Sequence, residues 1–355
     1  MLNLGKSRPA LLGVDVSSAA VKVLELGRHG KGYRVEAFAV EPLPDGVMVD
    51  KVCQDTETVG AALGRAVKRS GSRLKQCAMA VPSSAVITKT IQLSASLSES
   101  ELEGQVFVEA DQYIPYTLEE VNLDFQVLGP SEKNPQMQDV LVVASRRENV
   151  ESRIAIAEAA KLSVELVDVE AYAIEHASER LMEHIPDREN KPMVAIVDVG
   201  SSVTAVYVVS QTEGVVYTRE QNFGGRMLTE EIMRRYNMSY QEAGSAKMSG
   251  DLPADYVSEV LEPFKQTMMD QIQRLLQYFY VTRPQDTIDH VLLGGGCAAI
   301  PGVDEMLEET TSTPVSVANP FRGMALSRRI NQQRFTNDAP ALLTACGLAL
   351  RGQTS

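Results

Sequence analysis

Apolar and polar residues alternate at strand spacing over the first forty positions, give way to helical spacing, and restart in the same way near residue 193. Apolar runs predict strands at 11–16 and 21–26. A third is predicted at 33–40, where Tyr33, Val35, Ala37 and Ala39 alternate with Arg34, Glu36 and Phe38, and Gly27, Gly30 and Gly32 mark a tight connection before it. Beyond the turn at 42–46, Val59, Ala62, Leu63, Ala66 and Val67 share one helical face, which predicts a helix over 56–70 stopped by Gly71. A strand at 76–81 then halts at Pro82.

The texture changes over 86–145. A strand at 86–93, a helix opened by the capping box Ser98 to Glu101, and strands at 121–128 and 139–145 around a polar loop at 131–138 predict a small α+β module. The helix after Ser98 places Leu102, Val106, Phe107 and Ala110 on one face, as core or as the wall of a groove. A helix at 148–161, a strand at 164–169 and a helix at 170–184 lead to the proline-flanked polar stretch 185–192, which reads as a linker. The second half predicts strands at 193–199, 203–209 and 214–221, then helices at 226–236, 239–248 and 255–281. A buried-type strand at 290–293 runs into three glycines and a helix from about Pro301, and an Ala- and Leu-rich helix at 339–350 closes the chain.

Within the repeated halves lies the most specific signal. Leu12-Gly13-Val14-Asp15-Val16-Ser17-Ser18 and Ile196-Val197-Asp198-Val199-Gly200-Ser201-Ser202 are near copies whose aspartates stand 183 positions apart, too far for one supersecondary unit. Each is a strand, a turn of small hydroxylated residues, and a second strand. Such a tip exposes backbone N–H groups that bind anions, and its carboxylate can hold a hydrated Mg²⁺. One copy alone reads equally well as turn chemistry; the repetition argues for a site that grips a polyphosphate from both sides. Asp15 and Asp198 are the candidate metal residues, and Ser17, Ser18, Gly200, Ser201 and Ser202 the candidate phosphate residues. Lys22 lies on the second strand of the first hairpin, where an ammonium can reach a phosphate, although a solvated lysine is the commoner case.

Gly294, Gly295 and Gly296 end an apolar strand and would let the backbone pass close to a base or ribose. Phe223-Gly224-Gly225 is a second glycine approach or a simple turn. Glu170, at a strand end and a helix start, either orients an attacking water or answers the helix dipole. The four histidines keep no company with Ser or Cys, so nothing points to nucleophilic catalysis.

Composition narrows the partners. At 355 residues, 44% hydrophobic and 23% charged, the chain suffices for two ordinary cores, and its net charge of −13 argues against a nucleic-acid partner. Four scattered cysteines without a Cys-x-x-Cys predict neither disulfides nor zinc, hence a reducing compartment, the cytoplasm. No apolar run approaches the ~18 residues of a membrane span. The start lacks a signal-peptide pattern and the tail is short and polar, so membrane association is expected only through a partner.

Taken in order, these elements resemble the actin-like ATPase superfamily and, within it, the actin-like assembly proteins of the bacterial type IV pilus. The two Asp-tipped loops match that superfamily's phosphate loops, Lys22 its following lysine, Glu170-Ala171-Tyr172-Ala173 its connecting segment and Leu293-Gly294-Gly295-Gly296 its adenosine loop. The pilus proteins are matched by Val-Glu-Pro-Leu-Pro at 40–44, Asp-Gln-Tyr-Ile-Pro at 111–115 and Val-Ala-Asn-Pro-Phe at 317–321.

The resemblance covers nearly the whole chain and implies an actin-like (ribonuclease H-like) α/β fold. Residues 1–85 and 161–192 would form a first lobe, 86–160 an inserted subdomain like that of the division protein FtsA, 193–338 a second lobe, and 339–355 a helix returning to the first. It further implies ATP with Mg²⁺ between the lobes and at most slow hydrolysis. The implied partner is the N-terminal cytoplasmic tail of the inner-membrane protein PilN, captured in a groove by the insertion. Pilus motor ATPases and platform proteins are implied as further partners. One departure is Ala243-Gly244-Ser245-Ala246-Lys247, where the superfamily's Ala-Glu-x-x-Lys would put an acid on the ribose; Lys247 is kept and the acid is lost. An FtsA-like scaffold, a small-molecule kinase of the same fold and a self-associating filament stay open as alternatives.

Overall fold

The computed structural model describes residues 10–131 and 134–353. The start of the chain, the centre of the polar loop at 131–138 and the last two residues of the tail therefore lie outside the described residues. Strands β1 (Leu12–Val16) and β2 (Ala20–His29) form an antiparallel hairpin, and β3 (Gly32–Pro42) extends it. Every residue of β1 is buried, as its central place in a six-stranded sheet requires. After β3 come two strands that the apolar pattern is too short to show, β4 (Met48–Val49) and β5 (Val52–Cys53), joined by Asp50 and Lys51. Helix α1 (Thr56–Ser70) opens on Asp55, whose side chain accepts from the Thr58 N–H, and stops at Gly71 in the left-handed region, φ 74°. Strand β6 (Gln76–Val81) runs parallel to β1.

Residues Val81–Ala155 form a compact unit of their own. In it β7 (Val86–Ser94), α2 (Glu99–Ala110), β8 (Val121–Pro130) and β9 (Met137–Arg146) build a three-stranded sheet, β7-β9-β8, under one helix. The Ser98–Glu101 capping box is formed. Leu102, Val106 and Ala110 enter the core, whereas Phe107, expected on the same face, is 39% exposed. Helix α3 (Arg147–Ala159) ends with Ile156 and Ala157 in the core of the main unit.

The main unit continues with β10 (Ser163–Val169) and α4 (Glu170–Met182), then β11 (Met193–Val199), β12 (Thr204–Ser210) and β13 (Gly214–Gln221). Helices α5 (Gly225–Tyr236) and α6 (Tyr240–Ser249) precede α7 (Glu262–Thr282). The single helix expected over 255–281 is instead a π-turn at Val257–Leu261 feeding α7, with Pro263 in the first turn; proline has no N–H for the regular ladder. Strand β14 (His290–Gly294), helix α8 (Val303–Thr311), strands β15 (Val315–Val317) and β16 (Ala325–Leu326), and helices α9 (Gln332–Asp338) and α10 (Leu343–Arg351) complete the chain. The final helix starts later than expected because Ala339–Leu342, with Pro340, takes a 3₁₀ turn.

The two large sheets share one plan. The second, β13-β12-β11-β14-β15, repeats the order β3-β2-β1-β6-β10 of the first, which adds β16 at its far edge. The first sheet packs on α1 and, on its other side, on α10, which contributes Ala345, Cys346 and Ala349 beside Leu24, Leu26 and Val35. The second covers a core of Val197, Val206, Val208, Met268, Ile272 and Phe279.

Candidate functional site

The two Asp-bearing hairpins are built alike. In β1–β2 the register sets Asp15 opposite Lys22, and Lys22 Nζ donates to Asp15 Oδ2 at 2.9 Å. Asp15 is 7% exposed, so the pair is largely shielded from water. Burial works against the Lys22 charge, but Asp15, Asp198 and Glu170 outweigh it and hold the ammonium above its ordinary range. Ser17 closes the tip, its N–H and Oγ both donating to the Ala20 carbonyl at 3.0 Å. The Ser18 N–H has no hydrogen-bond partner among the described residues.

In β11–β12 the position opposite Asp198 is Ala205. Asp198 therefore has no lysine across the strand pair, and burial pushes its carboxyl above the ordinary range while Lys22 and Lys51 pull the other way. Three chain segments meet at this tip. Gly200 N–H donates to the Val203 carbonyl at 3.0 Å, Gly225 N–H to the Gly200 carbonyl at 3.0 Å, and Arg226 N–H to the Ser201 carbonyl at 2.8 Å. A Cβ on Gly224 would collide with the Gly200 and Ser201 carbonyls, and one on Gly295, at φ +83°, with the Val199 carbonyl and the Asp198 carboxylate. Backbone packing accordingly explains Gly224 and Gly295, the Cys297 sulfur leaves no room for a Cβ on Gly225, and Gly294 faces Leu343 and Pro340; only Gly296 of this set borders open space. The Ser201 and Ser202 amides have no partner among the described residues.

Lys247 points inward. Its Nζ donates to Thr229 Oγ1 at 2.6 Å and to the Gly225 carbonyl at 3.3 Å, tying α6 to the start of α5, and burial lowers its pKa. Glu242 is spent on the capping box with Ser239.

Glu170 is the first residue of α4, and a cation absent from the sequence reading meets it there. Lys51, on the β4–β5 turn, donates to Glu170 Oε2 at 2.6 Å and to Glu220 Oε1, near the end of β13, at 2.9 Å. Burial disfavours both charges. The two carboxylates overcome it and raise the Lys51 pKa, while Glu170 stays above its ordinary range despite Lys51. Lys51 had no local signal: its partners are 119 and 169 positions away.

The two sheets thus bring Asp15, Lys22, Lys51, Glu170, Asp198 and Glu220 into one electrostatic cluster. Four carboxylates face two ammonium groups, an acidic excess in a largely shielded site that a divalent cation would offset. No group of three or more His, Cys, Asp or Glu surrounds a common metal position among the described residues. An ion here would keep several waters, as Mg²⁺ does.

A family model described as type IV pilus assembly protein PilM matches residues 13–353. The chain belongs to the PilM family. Among solved structures it is similar to a PilM-PilN type IV pilus biogenesis complex, with TM-score 0.80 and 24% identity over 98% of this chain and 100% of that one. It is also similar to the ethanolamine utilization protein EutJ from Carboxydothermus hydrogenoformans, with TM-score 0.57 and 16% identity over 96% of this chain and 89% of that one. The PilM-family chain has the actin-like ATPase fold, an α/β architecture in which the repeated sheets carry the repeated hairpins. No helix among the described residues is long and apolar enough to cross a membrane.

Proposed function

We propose that this protein is a cytoplasmic, ATP-binding adaptor of type IV pilus assembly that holds the N-terminal cytoplasmic tail of PilN at the inner membrane. Pilus assembly rests on family membership. The nucleotide reading rests on the six-residue charge cluster between two hairpins whose tip amides at Ser18, Ser201 and Ser202 are free to meet anionic oxygens. Asp15 and Asp198 would hold Mg²⁺ through its waters, and Lys22 with the tip serines and Gly200 would hold phosphates. Bound Mg²⁺ supplies the positive charge that lets a polyphosphate sit among carboxylates. Gly294 to Gly296 would border the adenosine, with Gly224, Gly225 and Lys247 supporting the wall behind it. Glu170 is the candidate for orienting a water, and its engagement with Lys51 favours holding ATP over rapid turnover.

For the PilN tail we assign the apolar depression of the 81–155 unit lined by Ile87, Ile91, Tyr113, Ile114 and Val142, where Lys89 lies 5.2 Å from the Tyr113 ring centroid. Contacts with motor ATPases and platform proteins belong to the same reading.

Equilibrium titration of a fluorescent ATP analogue with Mg²⁺ tests the nucleotide part. Asp15→Ala and Asp198→Ala are each expected to weaken binding by about a hundredfold, about 2.7 kcal/mol, with circular dichroism unchanged. Unaltered affinity in both variants, or no binding by the wild type, refutes it. A PilN tail peptide titrated into wild type and Tyr113→Ala tests the docking assignment, and repeating it with ATP measures coupling between the two sites.

A further inference from the structure

The stretch between β3 and α1 is rooted in the first sheet and reaches the second at two points. Leu43 and Met48 are buried in the first core, and the Leu43 N–H donates to the Ala19 carbonyl at 2.8 Å, beside the first tip. From this base Asp45 Oδ1 pairs with Arg226 Nη1 at 2.8 Å. Arg226 is the residue whose N–H holds the Ser201 carbonyl of the second tip. Further along, Lys51 joins Glu170, attached to the first sheet, to Glu220 of the second.

The turn carrying Lys51 is a two-residue hairpin connection with both residues left-handed, Asp50 at φ 48° and Lys51 at φ 64°. Such turns favour Asn-Gly, because a Cβ there is sterically costly. A lysine in that place is explained by what its side chain does. Its pairs are also the better shielded ones: Lys51, Glu170 and Glu220 side chains are 15%, 12% and 14% exposed, against 34% and 47% for Arg226 and Asp45. Water and salt screen the Asp45–Arg226 link far more than the Lys51 pairs.

We propose that residues 43–53 form a clasp across the two sheets, with Lys51 as a positioning residue of the nucleotide site. Lys51 must leave Glu220, and Asp45 must leave Arg226, before the cleft opens to exchange nucleotide. The clasp rests on the nucleotide reading for its consequence, not for its existence.

The test uses the full chain with two readouts. Hydrogen exchange without nucleotide follows the amides at 47–54 and, on the far side, at 223–226; chase of a bound fluorescent ATP analogue with unlabelled ATP gives the release rate. Lys51→Met is expected to speed exchange in both segments and release about tenfold, with Lys51→Arg restoring most of both. Lys51→Gly, which relieves the backbone cost and deletes the hook, is expected to behave as Lys51→Met, and Asp45→Ala to speed release about twofold. Faster exchange confined to 47–54 with unchanged release, or tighter protection in Lys51→Gly than in wild type, overturns the clasp. Should Lys51→Met fail to fold, Glu220→Gln makes the same cut from the other side. A wild type that binds no analogue refutes the nucleotide reading, and the exchange data then still decide the clasp.

Discussion

The two hairpins are near copies in sequence and in register, yet they solve the burial of an aspartate differently. Seven residues after Asp15 stands Lys22, directly across the strand pair and bonded to it; seven after Asp198 stands Ala205. The first carboxylate is neutralised within its own hairpin. The second depends on ammonium groups delivered by the other sheet, and its tip is braced by the backbones at Gly224 to Arg226 and Gly295. A repeat that would be redundant if both copies were self-sufficient thus becomes a division of labour: one tip carries its own cation, and the other keeps a carboxylate in want of one. Such a partly buried carboxylate with no bonded lysine of its own is the better ligand for an incoming cation.

The bracing is the most sensitive part of this contrast. Gly295→Ala would drive a Cβ into the Val199 carbonyl at a left-handed position, and should cost about 3 kcal/mol in urea unfolding. At its neighbour, Gly296→Ala meets nothing within 4 Å and should stay within about 0.5 kcal/mol. Equal costs at the two positions would mean that the second tip is not built on that contact.

Making the hairpins alike is the next test. Ala205→Lys places an ammonium where Lys22 stands in the first hairpin and should satisfy Asp198 locally. Affinity for the Mg²⁺-bound ATP analogue is then expected to fall about tenfold, or about 1.4 kcal/mol. Ala205→Met controls for bulk at this buried position. An equal loss in both variants would trace the effect to packing, and the asymmetry of charge would lose its functional meaning.

The same contrast separates what the sequence reveals from what it conceals. Helix Thr56–Ser70 and strands Met193–Val199 and Gly214–Gln221 are legible in the sequence, because caps, turn glycines and apolar periodicity are local. Strands β4, β5, β15 and β16 are two or three residues long, too short for any period to register. The aspartates announce themselves by repetition, but Lys51 does not, since its role exists only after distant segments meet. Glycine runs are ambiguous for a different reason. A glycine that admits a ligand and one that admits another backbone look the same until the neighbours are known, and Gly224 and Gly295 prove to border backbone.

The smallest expected effect is also the one whose sign distinguishes the two aspartates. Burial raises the folded-state pKa of Asp198 above its unfolded value, so folding favours the protonated form. That contribution is fully present below about pH 4, the unfolded carboxyl's pKa, and is lost as pH rises through the higher folded value. At pH 7, where the unfolded side chain is ionised, folding Asp198 into this site is therefore a burden, and Asp198→Asn should stabilise the protein by about 1 kcal/mol. The gain should shrink as pH falls toward 4, where the wild-type side chain is neutral too. Asp15→Asn should act in the opposite direction at pH 7, because it leaves the Lys22 ammonium buried without its bonded partner. Thermal unfolding of both variants across that pH range reads the difference. Destabilisation by Asp198→Asn at neutral pH would show that Lys22 and Lys51 already compensate it fully, and the case for a cation-seeking second tip would fall with it.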